Sequence, residues 1–202
     1  MSDGVYDGLT PSEILILEHD TIKRVLAVLQ NLARRARDGD GWEIDSFRSC
    51  VEFFRNFADA FHHAKEEDLL FPALENRGIP RDGGPIAVML MEHVRGREFV
   101  KQIADALEGV QNEDEAAREQ LLHAADEFFG LLPHHIYKED NILYPMGDNV
   151  LTEEDQGKLH TQYCEVASRT FGDKSPEELK MIADELEERW GDLSGLSRRI
   201  TT

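Results

Sequence analysis

Two eleven-residue strings carry nitrogen and oxygen donors at matching positions: HHAKEEDLLFP at residues 62–72 and HIYKEDNILYP at 135–145. Superposed, they pair His62 with His135, Lys65 with Lys138 and Glu66 with Glu139, and run on through Leu70/Leu143, Phe71/Tyr144 and Pro72/Pro145. A histidine four residues ahead of a glutamate places both on one side of a helix, one turn apart. Upstream of each string stands a Glu-His pair, Glu18-His19 and Glu92-His93. His19 precedes His62 by 43 residues and His93 precedes His135 by 42. The donor set is therefore duplicated, each half holding one lone histidine and one His-x-x-x-Glu.

The chemistry of such a set is metal binding. Two carboxylates turned into an apolar interior are costly unless a cation or several hydrogen bonds offset the loss of water. Imidazole and carboxylate together suit iron, manganese or zinc, and no thiolate signals a softer ion. With Glu66 and Glu139 bridging two ions, and each ion taking two of His19, His62, His93 and His135, every ion has about four protein donors. About two octahedral positions then remain for an oxo or hydroxo bridge and an exogenous ligand. A single zinc, or a structural metal that only staples the helices, is the plainer alternative.

Helices must position these groups, because helical periodicity dominates and no stretch alternates with period two. TPSE opens the first helix, with Thr10 as N-cap, Pro11 at N1 and Glu13 completing a capping box; DGDG stops it after about Arg37. A second helix runs from near Glu43 to ENRG, where Gly78 suits a left-handed cap. A third follows IPRDGGP to about Gly109, and a fourth spans about Glu113 to Asp148 with a kink expected at Pro133. LTEED opens a shorter fifth and SPEE a sixth, ending near Gly191 before a polar tail. The expectation is an all-α protein: an antiparallel up-down-up-down four-helix bundle over residues 1–150. Two additional C-terminal helices over 151–202 pack on or next to it.

Stepping 100° per residue decides which histidine of each doublet faces inward. On the second helix, Phe47, Val51, Phe54, Ala58, Phe61 and Leu69 form the apolar arc, with His62 and Glu66 at its edge. On the fourth, Ala124, Phe128, Leu131, His135, Glu139 and Ile142 share a stripe. His63 and His134 fall on the rim by this reading, so removing His63 should leave metal uptake unchanged. Leu15, His19, Ile22, Leu26 and Ala33 share a face of the first helix; Ile86, Met89, His93, Val100, Ala104 and Leu107 share one of the third. Glu18 and Glu92 adjoin the lone histidines and read first as exposed helix-edge acids, with orienting the imidazoles or guiding cations inward as the alternative. Tyr137 and Tyr144 read as core or rim, and His123 as surface.

Composition narrows the function classes. The 202 residues carry a net charge of −19, which opposes nucleic acid and anionic membrane surfaces. The N-terminal stretch lacks the pattern of a signal peptide, and Cys50 and Cys164 are the only cysteines, in no C-x-x-C pair. A cytoplasmic location with free thiols is expected.

With EH, HHAKEEDLLFP, EH and HIYKEDNILYP in order, residues 12 to about 150 closely resemble the hemerythrin-like, or HHE cation-binding, family. The resemblance implies a four-helix bundle holding two non-heme iron ions through His19, His62, Glu66, His93, His135 and Glu139. Oxygen-carrying hemerythrins have a further histidine four residues after the one matching His93; Arg97 stands there in this chain. That departure points to the four-histidine branch, which includes proteins implicated in sensing nitric oxide or oxygen, in peroxide handling and in repair of iron–sulfur centres. The expected ligand is O2, NO or peroxide. Iron donation during repair, and a metal-stapled interaction module without catalysis, are the alternatives.

Overall fold

The computed structural model describes residues 6–191 and is all-helical, with six helices and no β-strand among the described residues. The polar tail expected at the C-terminus lies outside the described residues.

The first helix, Pro11–Asp38, begins where the capping box predicts. Thr10 Oγ1 accepts from the Glu13 amide at 3.2 Å, and Glu13 Oε2 accepts from the Thr10 amide at 2.8 Å. It ends at Gly39, whose φ of +83° a side chain would strain. The second helix covers residues 44–76, the third Pro85–Gln111 and the fourth residues 115–150. The fourth starts at Asp114, whose side chain accepts from the Ala116 amide, and passes Pro133 without interruption. Thr152 with Asp155 and Ser175 with Glu178 form capping boxes for the fifth helix, Glu153–Ala167, and the sixth, Pro176–Trp190.

Two of these helices contain wider turns that α-helical periodicity does not anticipate. Phe54–His63 and Glu66–Leu70 in the second helix, and Glu139–Leu143 in the fourth, are π-helical. The repeated Phe71-Pro72 and Tyr144-Pro145 supply a cause for the two matching turns. Proline has no amide hydrogen and its ring collides with the carbonyl four residues back, so the preceding turn opens by one residue. The Phe71 amide reaches back to the Glu66 carbonyl and the Tyr144 amide to that of Glu139.

The extra residue shifts the buried face. Leu70 and Leu143 are buried where the stripes above name Leu69 and Ile142; Leu69 is half-buried and Ile142 is 48% exposed. Among the first four helices, the first packs on the second and fourth, and the third packs on the same two, closing a ring. Phe47, Phe53, Phe57 and Phe61 are fully buried along the second helix, Phe61 against Phe171 beyond the fifth helix. Each such side chain contributes roughly 1.5–3 kcal/mol by leaving water.

The sixth helix lies across the first two: Arg24 Nε donates to Glu187 Oε2 at 2.6 Å, and Trp190 Nε1 donates to Ser46 Oγ at 2.8 Å. The fifth is tied to the second by Arg77 Nε and Asp155 Oδ2, 2.7 Å apart, and to the N-terminal segment by His160 Nε2 at the Tyr6 carbonyl. No helix among the described residues is long and apolar enough to cross a membrane.

Candidate metal centre

The ring of helices brings His19, His62, Glu66, His93, His135 and Glu139 together, each at most 3% exposed. Donor atoms of His19, His62, Glu66 and Glu139 all lie within 4.8 Å of one another. His93 Nε2 is 3.1 Å from His135 Nε2. Each glutamate faces one histidine from either half. Glu66 Oε2 lies 3.8 Å from His62 Nε2 and 3.5 Å from His93 Nε2; Glu139 Oε2 lies 3.3 Å from His19 Nε2 and 3.2 Å from His135 Nε2. Each carboxylate therefore stands between imidazoles of the two halves.

Every one of these imidazoles has its other nitrogen held by an acid. Nδ1 of His19 pairs with Asp140 at 2.6 Å, His62 with Glu18 at 2.9 Å, His93 with Glu67 at 2.7 Å and His135 with Glu92 at 3.0 Å. Hydrogen bonds to the rings hold Glu67, Glu92 and Asp140 below the usual carboxylate range against the opposing pull of their partial burial. Ionised carboxylates only accept, so Nδ1 carries the hydrogen and the Nε2 lone pair is turned inward.

The repeat explains the pairing. Glu18 also accepts from Lys65, and Glu92 from Lys138, so the matched lysines fix the acids that fix His62 and His135. The acids that follow the two ligand-position glutamates, Glu67 and Asp140, reach across to the lone histidine of the opposite half.

Of the two readings of Glu18 and Glu92, the structure takes the imidazole-orienting one over the exposed one: Glu18 is buried, and Glu92 is 12% exposed. The signal was present in the offsets, since Glu18 precedes His62 by 44 residues and Glu92 precedes His135 by 43. Tyr144 is buried, donates to Glu66 Oε1 at 2.6 Å and stacks on His19, with ring centroids 5.7 Å apart. Tyr137, His123 and His134 are exposed. His63 does not join them on the rim; its side chain is 12% exposed and its ring lies on His93.

The donors suit a cation. His62 Nε2, Glu66 Oε2 and both Glu139 carboxylate oxygens are buried without a hydrogen-bond partner. Burial lowers the proton affinity of His19, His62, His93 and His135, leaving neutral nitrogen donors. Burial and mutual repulsion raise that of Glu139, and burial raises that of Glu66. Orphaned acceptors that resist ionising without a counter-charge are the electrostatic complement of a divalent or trivalent ion.

A cavity of about 290 Å³ adjoins the cluster between the second, third and fourth helices. Phe54, Val100, Phe128 and Leu132 give it apolar walls, while the exposed Arg55 and Lys101 are charged lining groups.

An all-helical chain with a buried, carboxylate-buttressed histidine and glutamate cluster is a metal-binding protein of the non-heme type. Residues 10–147 match the family model for the hemerythrin HHE cation-binding domain, and the chain belongs to that family. It is similar to an uncharacterized protein of Mycobacterium tuberculosis, 24% identical over 165 residues, which cover 82% of this chain and 64% of the relative. It is also similar to an iron-sulfur cluster repair protein of Salmonella newport, 34% identical over 87 residues, 42% of this chain and 39% of that one. A probable iron-sulfur cluster repair protein of Haemophilus influenzae is 34% identical over 86 residues, 42% of this chain and 39% of its own length. The chain thus spans 64% of the mycobacterial relative's length.

Proposed function

We propose that this chain is a di-iron protein of the hemerythrin type, folded as an antiparallel up-down-up-down bundle, that binds O2, NO or peroxide. His19 and His62 would hold one iron, His93 and His135 the other, with Glu66 and Glu139 shared. The pair of irons, when bound, supplies electrons and an open coordination position for a small exogenous ligand.

The protein's own contribution is positional. Four acids lock the imidazole tautomers, Tyr144 donates to Glu66 and restricts its rotation, and the apolar cavity admits a small uncharged molecule while limiting water. The observation that carries the reading is the set of buried, unpartnered donor atoms on His62, Glu66 and Glu139. The net charge of −19 disfavours nucleic acid and anionic membranes as partners.

The test is iron content with a spectrum. Purified protein should carry two irons per chain and absorb in the near ultraviolet as a di-ferric centre. Reductant should bleach that band, and NO, O2 or peroxide should then change it. A colourless protein that takes up only zinc would overturn the proposal.

The repair proteins among its relatives favour a second reading, in which the same irons are donated to damaged iron–sulfur centres. Its mark is transfer: loaded protein should restore an NO-damaged cluster in a second protein, and lose iron as it does so.

A further inference from the structure

We propose that the cavity beside the centre is a binding site for an aliphatic carboxylate, its chain lying between the second, third and fourth helices and its head held by Arg55 and Lys101. The inference goes beyond the di-iron reading and does not depend on which metal is bound.

Size is the first observation. An engineered apolar cavity of about 150 Å³ takes up benzene. This one, at about 290 Å³, has room for roughly ten carbon atoms, so a diatomic or a peroxide fills only a small part of it. Ile22, Phe54, Val100, Phe128, Leu131 and Leu132 line it. Water finds few hydrogen-bond partners against such walls, and an alkyl chain is the better occupant.

Gly96 is the second observation. It is buried in the middle of the third helix and lines the same cavity. A helix interior disfavours glycine relative to alanine. Nothing local requires it here: its φ is not positive, and a Cβ would meet only the Phe128 ring, at an ordinary 3.6 Å. The matching position of the first half, three residues after His19, carries Ile22. The side chain omitted at Gly96 leaves open space, not a turn or a close helix contact.

The charges at the mouth are the third. Buried imidazoles of His19, His62, His93 and His135 close the inner end, and the exposed Arg55 and Lys101 mark where the cavity meets solvent. Arg55 pairs with no acid among the described residues, and it stands near enough to Lys101 for the two charges to repel. Lys101 has Asp105 at 2.6 Å, but both are more than half exposed, so that pair is weak and easily exchanged. The remaining cation of the lining, Arg97, is taken by Asp59 and Glu67. The acids of the lining are taken as well, Asp59 by Arg97 and His63, Glu92 by His135 and Lys138. The mouth thus lacks one anion, and a planar carboxylate matches a guanidinium whose N–H groups are free. The first half does not repeat the arrangement, since Ala27 stands at the position matching Lys101.

The test is calorimetric titration of the full chain with octanoate, 1-octanol and acetate. Octanoate should bind once per chain and about 10-fold or more tightly than the other two, because octanol lacks the charge and acetate the chain. Arg55→Glu, an exposed change that touches no metal donor, should weaken octanoate about 10-fold or more while leaving octanol binding and iron uptake as in wild type. Gly96→Leu should fill the cavity and abolish binding of both. Octanoate bound no more tightly than octanol or acetate, or bound equally well by Arg55→Glu, would overturn the proposal. So would octanoate binding retained in a folded Gly96→Leu chain; where that variant does not fold, Arg55→Glu decides alone. A chain that binds octanoate in this way but takes up no iron would sink the di-iron reading and leave this one standing. Two irons bound with no octanoate would do the reverse.

Discussion

Glu18 accepts at once from Tyr6 Oη, Lys65 and His62, all buried, whereas its counterpart Glu92 serves His135 and a lysine, Lys138, that is 31% exposed. The two acids do the same work on their histidines but stand in different dielectric surroundings. Glu18→Ala leaves the Lys65 ammonium buried with no counter-charge and should cost about 3–5 kcal/mol. Glu92→Ala frees Lys138 toward water and should cost about 1 kcal/mol or less from the lost ion pair. Both should weaken iron binding by a similar factor, about 10–100, because each releases one imidazole. Urea unfolding of the metal-free variants and iron titration of both check the contrast. Equal losses of stability would contradict the assignment of Lys65 to a buried pair.

At the scale of elements, the π turns make a prediction opposite to that of an ideal α-helix. Ile142 lies on the stripe that includes His135 and Glu139 when residues are stepped by 100°, yet the widened turn at Glu139–Leu143 turns it to solvent and buries Leu143. Ile142→Lys should therefore change stability by no more than about 0.5 kcal/mol. Leu143→Ala should cost about 2–5 kcal/mol, which chemical unfolding of the two variants measures. The reverse order would mean that the turn is α-helical.

The same turns mark where sequence reasoning stopped. Helix starts were legible wherever a side chain caps an amide, as at Thr10, Thr152 and Ser175, since that hydrogen bond is local. Convergence of the donor-bearing helices was legible from the duplicated spacing. His63 was not, because its direction depends on turns with more residues than the α-helical step assumes. Glu18 and Glu92 were legible only as one of two readings, and Glu67 and Asp140 were missed, since an acid beside a ligand looks the same in sequence whether it meets water or an imidazole. Only the matching offsets in the two halves distinguish them.

Across the whole molecule, stability and metal binding are coupled through protons. Unfolded glutamate titrates near 4.3 and histidine near 6.5. Without metal, burial holds Glu66 and Glu139 above the glutamate value, so the folded chain binds more protons than the unfolded one up to the raised pKa. Their contribution to metal-free stability falls as pH rises through that window. The inward histidines, lowered by burial, act in the other sense: their contribution is lost as pH falls below about 6.5. Above about pH 7 the histidines are neutral in both states, and of the groups in the centre only the two carboxyls still act. Bound metal removes their effect by supplying the counter-charge that the carboxylates lack. The metal-free protein should therefore melt at progressively lower temperature between about pH 7 and 8.5, while the iron-loaded protein holds steady and the gap between them widens. Paired thermal melts across that range, with iron loaded or removed by chelation, measure the gap. A gap that stays constant or narrows would mean that Glu66 and Glu139 ionise without metal, and that their burial does not prepare the site for a cation.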